Sequence, residues 1–160
     1  MPKEKEAREE VQLVAFILEG EEFAVDIQQV REVLKMTQVT PLPQSADFIE
    51  GVINLRGEVI PVVDLRKRFE LSAGERTDQT RIIIVEIEEN EVGLIVDSVS
   101  EVLRIPEKNI QPPPATVAGT RTDLIEGVGK LDERLIIILR LEKILTTSEK
   151  IALEEVKLTN

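Results

Sequence analysis

The sequence predicts a mainly β protein built from two small five-stranded antiparallel barrels, because it contains an internal repeat and short apolar runs separated by regular turns. Residues 48–69 read FIEGVINLRGEVIPVVDLRKRF, and residues 124–145 read LIEGVGKLDERLIIILRLEKIL. The two stretches align without a gap, with Phe48 opposite Leu124. The chain is therefore a duplication, in which features kept by both copies indicate scaffold and features of one copy indicate a special site.

Each copy is predicted to contain five short strands, with a turn about every 8 to 12 residues. In the first copy, two hairpins join residues 11–18 to 23–27 and residues 48–55 to 58–63. Residues 30–36 fit either a short helix or a strand, and the β-rich context favours a strand. The strand edges of such short segments are best hidden by closure into barrels.

A short helix is predicted after the second hairpin, because Asp64 can accept the first free amides of residues 65–70. The polar residues 71–80 then link the two copies. The predicted division of the chain is a disordered tail over residues 1–10, a first barrel over 11–74, a second barrel over 75–146, and a C-terminal helix or tail over 147–160.

The first strand is apolar on both of its faces. Val11, Leu13, Ala15 and Ile17 alternate with Val14, Phe16 and Leu18. A strand with one solvated face would instead alternate apolar with polar residues. We therefore expect one face to line a barrel and the other to pack against the second barrel or against another protein.

The composition excludes several functional classes. The 160 residues include 31 acidic and 20 basic side chains, so the net charge of -11 opposes binding to a phosphate backbone. Cysteine and histidine are absent, which excludes disulfides, thiolate zinc sites and histidine-based catalysis. No apolar run approaches the roughly 20 residues of a membrane span, so a cytoplasmic protein without membrane insertion is predicted.

The abundant carboxylates are compatible with an enzyme or with a binding module. The carboxylates cluster at predicted turns, around residues 19–22 and 88–91, where solvated hairpin tips explain them. No phosphate-binding loop, nucleophile elbow or calcium loop occurs in the sequence. We therefore predict no catalytic residue, no metal site and no cofactor, and favour a binding or scaffold module.

Arg56 is a candidate binding residue, because the turn at residues 54–57 corresponds to Lys130-Leu-Asp-Glu133 in the second copy, which has neither the arginine nor Gly57. Gly57 permits a positive φ, which would fix the direction of Arg56. The guanidinium then pairs with a carboxylate of this chain, Glu32 or Glu50, or with one of a partner. The alternative is a surface arginine without a specific role.

A second candidate is an apolar set that recurs in both copies. Its members are Val30, Val33 and Leu34 with their counterparts Val99, Val102 and Leu103. Recurrence favours a core position. If part of the set faces outward, it forms an apolar groove between the barrels, suited to an amphipathic helix.

At these residues the sequence resembles the CheW family of chemotaxis coupling proteins. The resemblance extends from about Val11 to Leu145 and is carried by four motifs. They are Phe23-Ala-Val-Asp-Ile27, Val30-Arg-Glu-Val33, Gly51-Val-Ile-Asn-Leu-Arg-Gly57 with Val59-Ile-Pro-Val-Val-Asp-Leu65, and Val92-Gly-Leu-Ile-Val-Asp97. The resemblance implies two SH3-like barrels with some strand exchange, and a non-enzymatic adaptor between methyl-accepting chemoreceptor tips and the histidine kinase CheA.

The resemblance also implies where the partners bind. Receptor contact in the groove between the barrels maps onto Val30, Glu32, Val33, Arg56, Gly93, Val99 and Val102. Kinase contact at the barrel-end loops near the prolines maps onto Leu42 and Gln111. The expected location is the cytoplasm, at receptor arrays on the inner membrane.

Overall fold

The structure is a computed structural model that describes residues 9–43, 47–72, 74–113 and 122–145. Its strands are β1 (Glu10–Leu18), β2 (Glu21–Asp26), β3 (Val30–Lys35), β4 (Ile49–Leu55), β5 (Glu58–Asp64), β6 (Arg81–Ile87), β7 (Asn90–Val96), β8 (Ser98–Pro106), β9 (Ile110–Gln111), β10 (Ile125–Leu131) and β11 (Arg134–Leu139). The helix α1 spans Leu65–Arg68, and short 3₁₀ helices span Ile27–Gln29, Glu107–Asn109, Thr122–Leu124 and Leu141–Lys143. The strand predicted over residues 30–36 is confirmed.

The strands form two sheets, each of which combines both copies of the repeat. Sheet A has the order β8-β1-β2-β11-β10-β9, and sheet B has the order β3-β6-β7-β5-β4. The mainly β, two-barrel prediction is confirmed. The prediction that all strands pair antiparallel is wrong at two places, because β2 pairs with β11 in parallel and β5 pairs with β7 in parallel. Both parallel pairs join a strand of one copy to a strand of the other.

The boundary between residues 74 and 75 therefore separates the two copies of the sequence but not the two sheets. Strands β1 and β2 from the first copy lie in sheet A, and β6 and β7 from the second copy lie in sheet B. At the N-terminus, β1 begins at Glu10, which pairs with Pro106, so the last residue of the predicted tail is in a strand. The rest of that tail up to residue 8 and the predicted C-terminal helix over 147–160 lie outside the described residues.

Three apolar clusters form the core. One cluster lies inside the barrel formed by sheet A, and another lies inside the barrel formed by sheet B. The largest cluster lies between the two barrels, and we call it the inter-barrel cluster. Leu13 and Ala15 of β1 belong to the cluster of sheet A, whereas Val14, Phe16 and Leu18 belong to the inter-barrel cluster. The two apolar faces predicted for the first strand are confirmed, since one lines a barrel and the other packs against the second barrel.

In each barrel, the segment that follows one edge strand of the sheet pairs with a strand at the opposite edge, and this pairing closes the barrel. After β3, Thr40 forms a bridge with Val52 of β4; after β8, β9 pairs with β10. A Cβ atom on Gly51 would lie 2.0 Å from the carbonyl oxygen of Thr40, and one on Gly127 would lie 2.9 Å from that of Gln111. The glycine kept in both copies is therefore required because another backbone passes over it.

The loops after β5 and β11 tie the two copies together. Asp64 accepts hydrogen bonds from the amides of Arg66 and Lys67, which confirms the predicted helix cap. Arg68 is buried, lies 4.5 Å from the ring centroid of Phe48, and donates through Nε to the carbonyl oxygen of Ile144. Arg68 thus links α1 to the equivalent segment of the second copy, a contact that the sequence did not predict.

Replacing Gly51 by alanine is expected to destabilise the fold more than the same change at Gly127. Gly51 has φ of +145° and the closer backbone neighbour, so its side chain adds both strain and a clash. We expect a loss of roughly 3 kcal/mol for Gly51→Ala, measured by urea unfolding. Gly57→Ala is the control, because it has a positive φ but open space around the added Cβ. Equal losses for Gly51→Ala and Gly57→Ala would contradict the role assigned to barrel closure.

Candidate partner-binding site

The groove candidates of the first copy lie on the edge strand β3, on the side of the inter-barrel cluster. Val30 pairs with Val85 and Val33 pairs with Ile83, and both partners belong to that cluster. A β-bulge between Val30 and Glu32 keeps the two valines on the same face. Val30 packs against the cluster, whereas Val33 is 42% exposed.

The second copy repeats this arrangement on the edge strand β8. Val99 pairs with Phe16 and Val102 pairs with Val14, again with a bulge between the two positions, and both partners belong to the inter-barrel cluster. Val99 packs against the cluster, and Val102 is 54% exposed. In each pair, the first valine is therefore partly buried against the cluster, and the second remains open. We call these four residues the valine groove, after the groove predicted for them from the sequence.

Glu32 and Arg56 pair with each other on the other face of β3. Glu32 lies opposite Ile84, which belongs to the interior cluster of sheet B. Arg56 donates through Nη1 at 3.3 Å and through Nη2 to the two carboxylate oxygens of Glu32. This hydrogen-bonded guanidinium holds the pKa of Glu32 below its ordinary value.

The turn that carries Arg56 has the predicted geometry. Arg56 and Gly57 have φ of +51° and +86°, and the Gly57 amide donates to the side-chain oxygen of Asn54 at 2.9 Å. Glu50, the other predicted partner, instead binds Lys67 at 2.7 Å and Arg76 at 2.9 Å. Burial raises the pKa of Glu50, but these two cations outweigh it and leave the pKa below its ordinary value.

Gly93 does not join the surface formed by the other receptor-contact candidates. It is buried in β7, where an added Cβ would lie 2.8 Å from the Ile82 side chain in the interior of sheet B. Gly93 therefore makes room for a core side chain, and a buried residue cannot contact a partner directly. Its position corrects the prediction of a direct contact.

The two kinase-contact candidates lie at equivalent loops of different sheets. Leu42 follows the Thr40 bridge to sheet B and packs, partly buried, against the inter-barrel cluster. Gln111 is exposed in β9 of sheet A, beside Pro112. It lines a depression of about 530 Å³ together with Leu135, which is 63% exposed. Leu135 was not predicted, although the second copy places leucine where the first has Val59.

Two negative observations limit the chemistry of the described ranges. Residues 9–43, 47–72, 74–113 and 122–145 contain no group of three acidic side chains arranged to hold a metal ion. Over the same part of the chain, no helix has the length and apolarity needed to cross a membrane.

Comparison with known proteins identifies the family. The model of the CheW-like domain matches residues 12–149. The chain belongs to the CheW family. The chemotaxis protein CheW of Thermotoga maritima is 36% identical over 150 residues, which cover 94% of this chain and 95% of the relative. CheW of Bacillus subtilis is 40% identical over 127 residues, covering 79% of this chain and 81% of the relative.

A solved structure supports the same assignment. The crystal structure of the scaffolding protein TtCheW from Thermoanaerobacter tengcongensis is 43% identical, with a TM-score of 0.81, and the match covers 87% of this chain and 94% of that one. The resemblance inferred from the sequence motifs is thereby confirmed. The CheW-family chain described here is a chemotaxis scaffold or adaptor protein with the SH3-like two-barrel fold.

Two ion pairs of this CheW-family chain connect elements that no sequence motif linked. Arg134 of β11 donates to Glu22 of β2 at 2.9 and 2.5 Å, across the parallel pair of sheet A. Arg66 of α1 donates to Asp97 at 2.7 and 2.5 Å. For the second pair, the sequence contains one indication, a difference between the two copies of the repeat. Arg66 aligns with Glu142, so the second copy has no equivalent arginine.

Arg56→Ala is expected to leave the fold intact and to make stability less sensitive to acid. Because Arg56 lowers the folded-state pKa of Glu32, the pair stabilises the protein above about pH 5, and this contribution is lost as the pH falls through the lowered pKa. Urea unfolding of Arg56→Ala and the wild type should therefore differ at pH 7 and converge as the pH falls below the lowered pKa of Glu32. Lys35→Ala, which removes an exposed cation from β3, the strand that carries Glu32, is the control. A difference between Arg56→Ala and the wild type that stays constant with pH would show that the pair does not form in solution.

Proposed function

We propose that this CheW-family chain couples methyl-accepting chemoreceptors to the histidine kinase CheA. The receptor tip binds the valine groove and the nearby Arg56, and the regulatory region of the kinase binds a barrel-end loop. The adaptor works in the cytoplasm, at receptor arrays on the inner membrane. It transforms no substrate, so its effect on the kinase depends on how the two partners are held.

The observation that carries the proposal is the pair of half-exposed valines at each edge of the inter-barrel cluster. Val33 and Val102 are open although their strand neighbours Val30 and Val99 are packed. Exposed β-branched side chains above a buried apolar cluster offer a surface on which the apolar face of an amphipathic helix can dock. A chemoreceptor tip is a helical structure of this kind, as the resemblance to the family implies.

Arg56 gives the groove a charged margin. Its side chain is 69% exposed while it is paired with Glu32, so part of the guanidinium remains available to a partner. A carboxylate of the receptor can share this cation, because one guanidinium has five donors and Glu32 accepts only two hydrogen bonds from it. The exposed ion pair contributes more to orientation than to affinity.

The kinase is assigned to the barrel-end loops, with Gln111 and Leu135 in sheet A and Leu42 in sheet B. The depression beside Gln111 exposes Leu135 and Val128 next to Lys130 and Pro112. An apolar side chain surrounded by polar ones is typical of the centre of a protein interface. This surface lies on β9 to β11, apart from the edge strands β3 and β8 that carry the valine groove, so both partners have separate surfaces.

Val102→Glu is expected to weaken binding of a receptor signalling-tip fragment by about 10-fold or more, because a carboxylate would have to be desolvated in an apolar interface. Binding of CheA should be unchanged. Isothermal titration of both partners measures the two effects. Val102 is more exposed than Val99, so this variant should fold normally, which circular dichroism checks. Full receptor affinity in a folded Val102→Glu protein would exclude the valine groove as the receptor site.

Leu135→Glu is the reciprocal test, since Leu135 is also an exposed apolar residue. It should weaken binding of the CheA regulatory region about 10-fold and leave receptor binding unchanged. The milder Gln111→Ala should reduce kinase affinity to a smaller extent. If Leu135→Glu binds the kinase like the wild type, the kinase surface lies elsewhere, with the Leu42 loop next to be tested.

A further inference from the structure

The chain passes between the two sheets at two crossovers that are built differently. The first runs from β2 to β3 through Ile27–Gln29, where the Asp26 side chain accepts from the amide of Gln28 at 2.9 Å. The second runs from β7 to β8 through Asp97. The Asp97 carboxylate accepts two hydrogen bonds from Arg66, at 2.7 and 2.5 Å, and a third from the Glu19 amide at 2.8 Å.

The guanidinium–carboxylate fork at the second crossover joins elements of both sheets. Arg66 belongs to α1, which follows β5 of sheet B, and Glu19 lies in the turn between β1 and β2 of sheet A. The pair is partly buried, with side-chain exposures of 21% and 29%, compared with 69% for the arginine of the Arg56–Glu32 pair. A bidentate pair shielded in this way fixes geometry more strongly than an exposed one.

A second set of contacts holds the arginine in place. Arg66 Nη1 donates to the carbonyl oxygen of Ser72 at 2.9 Å, and the Ser72 hydroxyl donates to the Glu19 carboxylate. Gly74 lies so close that an added Cβ would be 2.5 Å from the guanidinium carbon. The polar segment between the two copies therefore packs over the fork.

The fork acts directly on the strand that carries half of the valine groove. The Asp97 amide donates to the carbonyl oxygen of Ile17 at 3.0 Å, the next residue Ser98 pairs with Ile17, and Val99 pairs with Phe16. Asp97 thus fixes the point at which β8 begins to follow β1. Any displacement of Asp97 would move Val99, two residues later.

We propose that Arg66 is a positioning residue for the valine groove: by holding Asp97, it fixes β8 relative to sheet B and so sets where Val99 and Val102 meet the receptor. This inference rests on the proposed function. The two copies of the repeat differ at this position. Glu142 stands at the position of Arg66 in the second copy, and a glutamate cannot pair with a carboxylate as an arginine does. In the first crossover, the Asp26 side chain instead forms a local cap with the Gln28 amide.

The test uses the full chain with labelled valine methyl groups and the receptor signalling-tip fragment. In Arg66→Ala, the methyl resonances of Val99 and Val102 should shift while those of Val30 and Val33 stay in place, and receptor affinity should fall about 10-fold. Asp97→Asn should have the same effects. The double variant should be no weaker than either single one, because both residues act through one fork. Arg66→Lys keeps the charge without the fork and should lose nearly as much affinity.

Arg140→Ala is the matched control, since Arg140, just after β11, also donates to a carboxylate at 2.8 Å, that of Glu126 in β10. It should change neither the four valine resonances nor receptor affinity. Should Arg66→Ala fail to fold, Asp97→Asn and Arg66→Lys carry the same comparison. Wild-type protein that does not bind the fragment would refute the proposed receptor site, and the positioning role with it. Normal wild-type binding together with unchanged resonances or unchanged affinity in the variants would refute only the role of Arg66.

Discussion

The buried contact between the two barrels is the constraint on which the rest of the structure depends. Strand exchange places a hairpin of each copy in the sheet that carries most of the other copy, and one parallel strand pair joins them in each sheet. The exchanged strand β1 is apolar on both faces, so it requires a core on either side. Separating the barrels would expose Phe16 and its neighbours and break both sheets. The two halves therefore share their sheets and one core cluster.

The local elements could be predicted from residue patterns, whereas the strand exchange was implied only by the family resemblance and no residue pattern located it. Alternating apolar residues located β1, and the Asp64 cap located α1, because these signals depend on neighbours in sequence. The parallel pairs form only when the hairpin of one copy joins the sheet that carries most of the other copy. Since both copies supply similar apolar strands, an exchanged and an unexchanged pairing make nearly equivalent local contacts, as Ala24 beside Ile138 and Gly93 beside Val62 illustrate. Repetition therefore identifies equivalent strands without assigning them to a barrel.

For the candidate site, the sequence likewise located the residues but not their exposure or their pairing. The repeat identified the valines of β3 and β8, but only the sheet order shows that both are edge strands, which is why one valine of each pair is packed and the other open. Gly93 was selected because it lies in a family motif, yet its neighbour Ile82 explains the glycine by packing. Glu32 rather than Glu50 is the partner of Arg56: Glu50 lies at the other end of β4, where it binds Arg76 of the polar linker and Lys67.

The two copies of this scaffold are nearly symmetric in backbone and are made asymmetric by their charged side chains. Here the backbone repeats closely, down to the bulges that precede Gly51 and Gly127, whereas the ion pairs do not. Arg56–Glu32 and Arg66–Asp97 both involve arginines that the second copy replaces by an acidic residue. Charged pairs can be changed on a fixed β framework at small cost in stability, because they lie at the surface or the margin of the core. The duplication thus supplies two similar apolar surfaces, and the unequal charged residues distinguish one from the other.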